Sequence, residues 1–137
     1  MGRRKLREYA FYIIFSLPFT KYTAKEALNN INSVIDKDEL EPENLKYIEQ
    51  TVLGVEENLE KIDSIIETYS KGYRLERISR AALAAMRLSI YEILIRKDVP
   101  ENVSINEAVE IIKQFDSEES KKFSNGILGS FVRGREG

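Results

Sequence analysis

The sequence contains neither histidine nor cysteine in its 137 residues. These absences exclude Cys/His zinc sites, Ser-His-Asp triads, cysteine nucleophiles and disulfides. No glycine-rich phosphate loop is present, and no set of acid, base and oxyanion donor can be assembled from the remaining side chains. The sequence therefore predicts a protein that is not an enzyme and that holds no cofactor and no metal.

Helix breakers and long apolar runs are also scarce. There are 7 glycines and 3 prolines, a composition that favours helices. No stretch approaches the ~18 apolar residues of a membrane span. The apolar residues 9–19 follow Arg3, Arg4 and Lys5 as in a short signal peptide, but Pro18 interrupts them and no small-residue cleavage site follows. Together with the lack of cysteine, this predicts a cytoplasmic protein that has no membrane partner.

Apolar residues recur at helical spacing along the chain, and no segment shows sustained alternation of period two. The first stripe, in residues 3–17, is expected to end at Pro18. Thr23 and Glu26 form a capping box that opens a second helix. Its buried side is predicted to consist of Ala27, Leu28, Ile31, Val34 and Ile35. A break with Asn58 as the cap is expected to separate two later helices.

Residues 78–95 are apolar nearly all round, which is typical of a central helix that other helices surround. Arg87 and Glu92 are expected to form a structural polar network beside it. The prediction is an all-α fold of about seven helices in two small packed bundles. The bundles are expected to span about residues 1–58 and about residues 59–137 of a single domain.

The last two helices carry their own start and stop signals. Ser104 and Glu107 form a second capping box, which is predicted to open a helix. Ser117 is expected to cap a final helix that includes residues 126–129 and that frays over residues 133–137.

The formal net charge of −2 conceals a segmented distribution. Residues 1–25 carry six basic residues and one acidic residue, and residues 71–97 carry seven basic and two acidic residues. Residues 36–67 carry eleven acidic and three basic residues, and residues 98–137 carry eight acidic and five basic residues. A nearly neutral chain is thus predicted to present both a basic face and an acidic face.

The first helix places Arg4, Arg7, Phe11 and Phe15 on one arc, opposite its apolar stripe. Arginine binds phosphate oxygens and exposed aromatic rings stack on unpaired bases, so this arc is typical of a surface that binds single-stranded RNA. The alternative is that the two phenylalanines pack against another helix and the arginines are only solvated.

Three parts of the chain together resemble the NusB family of transcription antitermination factors. They are residues 3–8 (RRKLRE), residues 73–78 and 86–92 (YRLERI and MRLSIYE), and residues 104–110 and 122–128 (SINEAVE and KFSNGIL). The resemblance implies an all-helical fold of two packed subdomains. It also implies binding to the boxA sequence of nascent ribosomal-RNA leaders together with NusE, a small-subunit ribosomal protein, and an indirect action on RNA polymerase with other Nus factors.

The resemblance further implies which side chains contact RNA. In the first helix they are Arg3, Arg4, Lys5, Arg7 and Phe15, and in the last helix they are Lys121, Lys122 and Phe123. At Ala82 the family usually has an acid that faces NusE, and Tyr73 stands where the family has tryptophan. A second hypothesis is therefore a helical protein-interaction module without RNA, related to the accessory domain of ribosomal-RNA methyltransferases. The oligomeric state is left open, with a homodimer as one option.

Overall fold

The computed structural model describes residues 2–33 and 35–136. These residues form seven α-helices and no strand, so the predicted all-α fold is confirmed. The helices are α1 (Arg3–Thr20), α2 (Ala24–Asn29), α3 (Pro42–Glu57), α4 (Leu59–Tyr69), α5 (Arg80–Tyr91), α6 (Glu101–Phe115) and α7 (Glu118–Glu136). The chain divides into two compact units, Met1–Glu57 and Asn58–Gly137, here called the N-terminal unit and the C-terminal unit.

The core of the N-terminal unit lies where α1, α2 and α3 pack against one another. Its largest fully buried side chains come from α1 and α3, and they are Phe11, Ile13, Ile48 and Val52. Each of these helices buries one apolar stripe, as the spacing predicts.

Helix α1 continues through Pro18 and ends at Thr20, so the predicted stop at Pro18 is wrong. Proline removes only one backbone N–H donor, and near the last turn of a helix that loss disrupts little of the hydrogen-bond ladder. Lys21, the C-cap after Thr20, stops the helix: it adopts a left-handed conformation (φ 61°) and donates its N–H to the carbonyl of Leu17 at 2.8 Å.

The predicted capping box of α2 is confirmed. The N–H of Glu26 donates to Thr23 Oγ1 at 3.1 Å, and the N–H of Thr23 donates to Glu26 Oε1 at 2.9 Å. The helix stops at Asn29, so Ile31 lies in a following 3-10 turn although it is buried as predicted. Val34, predicted to share that buried side, lies outside the described residues, as does Gly137.

Helix α5 is the centre of the C-terminal unit and contacts α4, α6 and α7. Nine of its twelve residues are buried, which confirms the surrounded helix that the composition of residues 78–95 predicts. Ser79 caps its start by accepting the N–H of Ala82 at 3.1 Å. A wide π-helical turn at Glu92–Arg96 follows directly.

Two predicted features of the later helices are wrong. Helix α6 begins at Glu101, so Ser104 is buried inside the helix and does not cap it. Pro100 takes the cap position, since its fixed φ suits the entry to a helix. Helix α7 does not fray, because it remains helical to Glu136 and Arg135 Nη1 donates to Glu101 Oε2 at 2.8 Å.

Other predicted features are present. Helices α3 and α4 meet at Asn58, although its side chain makes no capping hydrogen bond. Ser117 caps α7 by accepting the N–H of Ser120 at 3.0 Å. Arg87 and Glu92, which were expected to form one polar network, each bond to a different helix. Arg87 donates two hydrogen bonds to Asp63 of α4, at 2.8 and 2.9 Å. Glu92 is buried and accepts a hydrogen bond from Ser104 of α6 at 3.0 Å.

Candidate nucleic-acid interface

The start of α1 concentrates positive charge. Arg3, Arg4 and Lys5 occupy its first turn and are exposed, and the turn contains no acidic residue. Gly2 at the N-cap provides no side-chain cap. The first N–H groups of a helix carry a partial positive charge, which has the same sign as these basic side chains. The helix dipole therefore adds to their positive charge and does not offset it. This end of the helix is therefore well suited to an anion such as a phosphate group.

Neighbouring groups orient two of these cations. The guanidinium of Arg3 lies 4.4 Å from the centre of the Tyr47 ring, which belongs to α3. Lys5 Nζ lies 5.3 Å from the centre of the Tyr9 ring and 3.8 Å from Glu8 Oε2. Cation–π contacts of this kind fix the position of a charge without neutralising it.

The predicted arc on α1 is only partly at the surface. Arg7 is 3% exposed and Phe11 is 1% exposed, so the expectation that these two side chains face solvent is wrong. The alternative, in which both arginines are only solvated, does not hold for Arg7 either, whereas Arg4 is exposed. Helical spacing shows which residues share a face, but not how much of that face the neighbouring elements cover.

Phe15 remains half-buried and belongs to a row of three aromatic rings along α1. Its centroid is 5.8 Å from that of Phe11, in a stacked arrangement, and 5.3 Å from that of Phe19. Phe19 is 59% exposed at the end of the row. Part of Phe15 is accessible to a base, and its inner neighbour holds the ring in place.

In α7 the adjacent residues Lys121 and Lys122 have different surroundings. Lys121 Nζ lies 3.9 Å from Glu118 Oε1, so a carboxylate partly offsets its charge. Lys122 is exposed and lines a cleft together with Phe123. The Phe123 ring is half-buried and meets the Tyr73 ring edge to face, with the centroids 5.0 Å apart.

That cleft lies between the C-terminal end of α4, the turn that follows it, and α7, and it has a volume of ≈ 390 Å³. We call it the basic-aromatic cleft. It is lined by Tyr69, Ser70, Lys71, Tyr73, Lys122, Phe123, Gly126, Ile127, Ser130 and Arg133. No acidic residue is among them. Sequence reasoning missed the place of Lys71 in this cleft, because nothing in the local sequence indicates its proximity to α7.

A second cleft of the same unit has the opposite charge. It is lined by Glu60, Asp63, Ser64, Glu67, Thr68 and Leu75, along α4 and the turn beyond it. Its carboxylates repel phosphate, so the C-terminal unit contains both an acidic surface and a basic one.

The position where the family places an acid is buried here. Ala82 is 1% exposed, in the first turn of α5.

Among residues 2–33 and 35–136, no helix has the length and apolar character needed to cross a membrane.

Comparison with known proteins identifies the family. The model of the NusB family matches residues 4–133. The transcription antitermination protein NusB of Acetivibrio thermocellus is 45% identical over 133 residues, covering 97% of this chain and 90% of the relative. The protein of the same description from Clostridium perfringens is 44% identical over 130 residues, covering 93% of this chain and 94% of the relative.

Solved structures agree with this assignment. The structure of T. maritima NusB superimposes with a TM-score of 0.86 at 31% identity, covering 97% of this chain and 92% of that chain. A structure of the antitermination factors NusB and NusE in complex with double-stranded RNA shares the fold, with a TM-score of 0.84 at 22% identity and coverage of 98% and 99%. Because the family model and close relatives match nearly the whole chain, this protein belongs to the NusB family.

Proposed function

We propose that this chain is a transcription antitermination factor, which binds boxA-type single-stranded RNA of ribosomal-RNA leaders together with NusE. The observation that carries the proposal is 45% identity, over 97% of the chain, to a protein described as a transcription antitermination protein. The fold is also that of a protein solved with NusE and RNA, so it is compatible with such a complex. Through this complex the factor acts indirectly on RNA polymerase, with other Nus factors, to promote read-through of terminators.

In the proposed complex the cations of α1 and α7 neutralise phosphates. Arg3, Arg4 and Lys5 act at the start of α1, and Lys121 and Lys122 act in α7. Each neutralised phosphate releases condensed counterions, which favours binding at low salt. Arg7 is buried, so its proposed role is to position this part of α1 from beneath the surface.

Aromatic side chains supply the second part of the binding energy. Phe15 in α1 and Phe123 in α7 are both half-buried, so each ring is held by protein on one side and accessible on another. Bases of single-stranded RNA stack on such rings without requiring a particular sequence. The chain performs no chemistry on the RNA in this proposal, and it acts in the cytoplasm as a binding protein.

NusE extends the RNA-binding surface, so the affinity for RNA is expected to rise when NusE is present. Ala82 has no carboxylate with which to face NusE, so in this proposal NusE binds the chain through other contacts.

Fluorescence anisotropy of a labelled boxA-type RNA tests the proposal. The RNA is titrated with the protein, with and without NusE, at several salt concentrations. We expect a complex whose Kd falls when NusE is added and rises with salt. Arg4→Ala is expected to weaken binding, whereas Lys25→Ala, an exposed cation of α2 in the same unit, leaves it unchanged.

A titration in which no complex forms at low salt, with or without NusE, would overturn the proposal. If instead the protein captures a different protein partner and protects no RNA, the interaction-module hypothesis replaces it. The oligomeric state is measured in the same samples by sedimentation, since a homodimer would present each surface twice.

A further inference from the structure

We propose that the basic-aromatic cleft holds one unpaired nucleotide of the bound RNA, with its base against Tyr73 and Phe123 and the phosphates on either side of it beside Lys71, Lys122 and Arg133. The inference rests on the proposed function and deepens it. It assigns RNA contacts to Lys71, Tyr73 and Arg133, to which the family resemblance gives no such role. It also means that the C-terminal unit binds RNA at one defined cleft and not only through a positively charged surface.

The aromatic wall of the cleft points to a base. Tyr73 is 56% exposed, an unusual environment for a large ring that is nevertheless held in a defined contact with Phe123. An edge-to-face pair directs the edge of one ring at the face of the other, which leaves further ring surface accessible. A planar base can cover that surface, and base–aromatic stacking is the principal contact by which proteins bind single strands.

The backbone holds Tyr73 in place. After α4, Lys71 (φ 53°) and Gly72 (φ 91°) both adopt left-handed conformations, which turn the chain sharply. The N–H of Tyr73 donates to the carbonyl of Ser70 at 3.3 Å, and Ser70 Oγ lies 2.9 Å from the carbonyl oxygen of Tyr73. Because Ser70 is buried, this turn is anchored, and little conformational entropy remains to be lost on binding.

Three cations line the cleft, and no acidic residue is among the residues that line it with them. Arg133 folds back along α7, where its Nη2 donates to Ser130 Oγ at 3.2 Å. A Cβ added at Gly129 would lie 3.2 Å from Arg133 Nη1, so the small residue leaves space for the guanidinium to lie against the helix. With the exposed side chains of Lys71 and Lys122, three positive charges line the cleft at different points, where each can bind a phosphate of the RNA chain.

The floor of the cleft is open at Gly126. A Cβ built there meets no atom within 4 Å, so the glycine is not required by packing within the chain. The volume of ≈ 390 Å³ falls within the range of about 300–1,000 Å³ typical of small-ligand sites, which suits one nucleotide and not a helix or a duplex. An acidic peptide would satisfy the cations but would leave the aromatic pair without a planar partner.

The test uses single-stranded boxA-type RNA in which 2-aminopurine replaces one base at a time. Stacking on an aromatic ring quenches its fluorescence, so wild-type protein should quench one position more strongly than its neighbours. Tyr73→Ala should abolish that quenching and weaken binding about tenfold, as expected for the loss of one stacked base. Tyr73→Phe keeps the ring and should retain both.

A steric variant tests the cleft without removing any contact. Gly126→Leu fills the open floor and should weaken binding about as much as Tyr73→Ala. Lys122→Ala should weaken it too, whereas the matched control Lys113→Ala, an exposed lysine in the last turn of α6, should not. Circular dichroism and thermal unfolding of every variant confirm that the fold is intact. If Tyr73→Ala does not fold, Gly126→Leu and Lys122→Ala still test the cleft.

The outcomes separate this inference from the function on which it rests. If wild-type protein binds RNA but Gly126→Leu and Tyr73→Ala bind equally well, the cleft is not the nucleotide site and the proposed function stands. If wild-type protein binds no RNA, the proposed function fails and this inference fails with it. Equal quenching at every position in the wild type would also overturn the single-nucleotide site.

Discussion

The two basic regions of the molecule are built differently. In the N-terminal unit, exposed cations stand in the first turn of α1. In the C-terminal unit, the cations border a cleft of ≈ 390 Å³ with an aromatic wall. Charge on an open helix end attracts any phosphate chain, whereas an enclosed site with rings also constrains what binds. The first region should therefore contribute mainly affinity, and the second should contribute the position of particular nucleotides.

The largest expected effect comes from removing the charges of α1. A variant with Arg3→Ala, Arg4→Ala and Lys5→Ala should bind single-stranded RNA about a hundredfold more weakly at low salt, because three phosphate contacts are lost. The slope of log K against log salt should become shallower by about 2, since each contact with a single strand contributes ~0.7. Anisotropy titrations over a salt series measure both quantities.

The control for this variant is Lys25→Ala, which removes a charge from the same unit outside α1. If the triple variant lost affinity without a change in the slope of log K against log salt, the proposed difference between the two basic regions would be wrong. In that case the cations would act through the structure of α1 and not through phosphates.

The next largest effect is expected at the aromatic wall of the cleft, where a substitution should lower the affinity for RNA without changing its dependence on salt. Phe123→Ala removes a stacking surface but no charge, so binding should weaken about tenfold while the salt slope remains that of the wild type. The same titrations measure it, and Phe123→Tyr, which keeps an aromatic ring, serves as the control. A changed salt slope in Phe123→Ala would contradict the division of roles between the two regions.

Two glycines of α7 differ in the space around them, since Gly134 lies against Tyr69 and Gly126 lies in open space. A Cβ at Gly134 would collide with the hydroxyl of Tyr69, which lines the cleft, whereas a Cβ at Gly126 meets nothing. Gly134→Ala should therefore lower the free energy of unfolding by about 1 kcal/mol as Tyr69 is displaced. Gly126→Ala should raise it by roughly 0.5–1 kcal/mol, because alanine favours the helix.

Urea unfolding followed by circular dichroism measures both glycine variants. Equal stability changes in the two would show that Tyr69 moves away from α7 without cost. The cleft would then be less rigid than its hydrogen bonds at Ser70 imply.

Much of the fold follows from periodicity, because helical stripes depend on local spacing. The surrounded helix α5 and the capping box at Thr23 were predictable for that reason. The start of α6 was not, because Ser104 and Glu107 satisfy the local pattern of a capping box while the hydroxyl of Ser104 is used in the core, beside Glu92. A local signal cannot show that a tertiary contact uses the same atom.

The candidate site divides in the same way. The basic start of α1 is continuous in sequence and was predicted as a cluster. The basic-aromatic cleft joins residues 69–73 to α7, some fifty positions later in the chain, so no short motif contains it. The burial of Arg7 was also unpredictable, since it depends on which neighbours cover α1. The family resemblance indicated Lys122 and Phe123, but not the tyrosine and the two cations that complete the cleft.

The smallest effect on RNA affinity is expected from removing a defect that both units share. Thr51 in the N-terminal unit and Ser124 in the C-terminal unit each bury a hydroxyl with no hydrogen-bond partner. Such a group loses its hydration without compensation, so Thr51→Val and Ser124→Ala should each raise the free energy of unfolding by about 1 kcal/mol. Thermal and urea unfolding measure the gain, and RNA affinity should stay unchanged because neither side chain reaches the surface. A loss of affinity in Ser124→Ala alone would mean that the position of the neighbouring Phe123 depends on that hydroxyl. RNA binding at the cleft would then depend on the core of the C-terminal unit more than RNA binding at α1 depends on the core of the N-terminal unit.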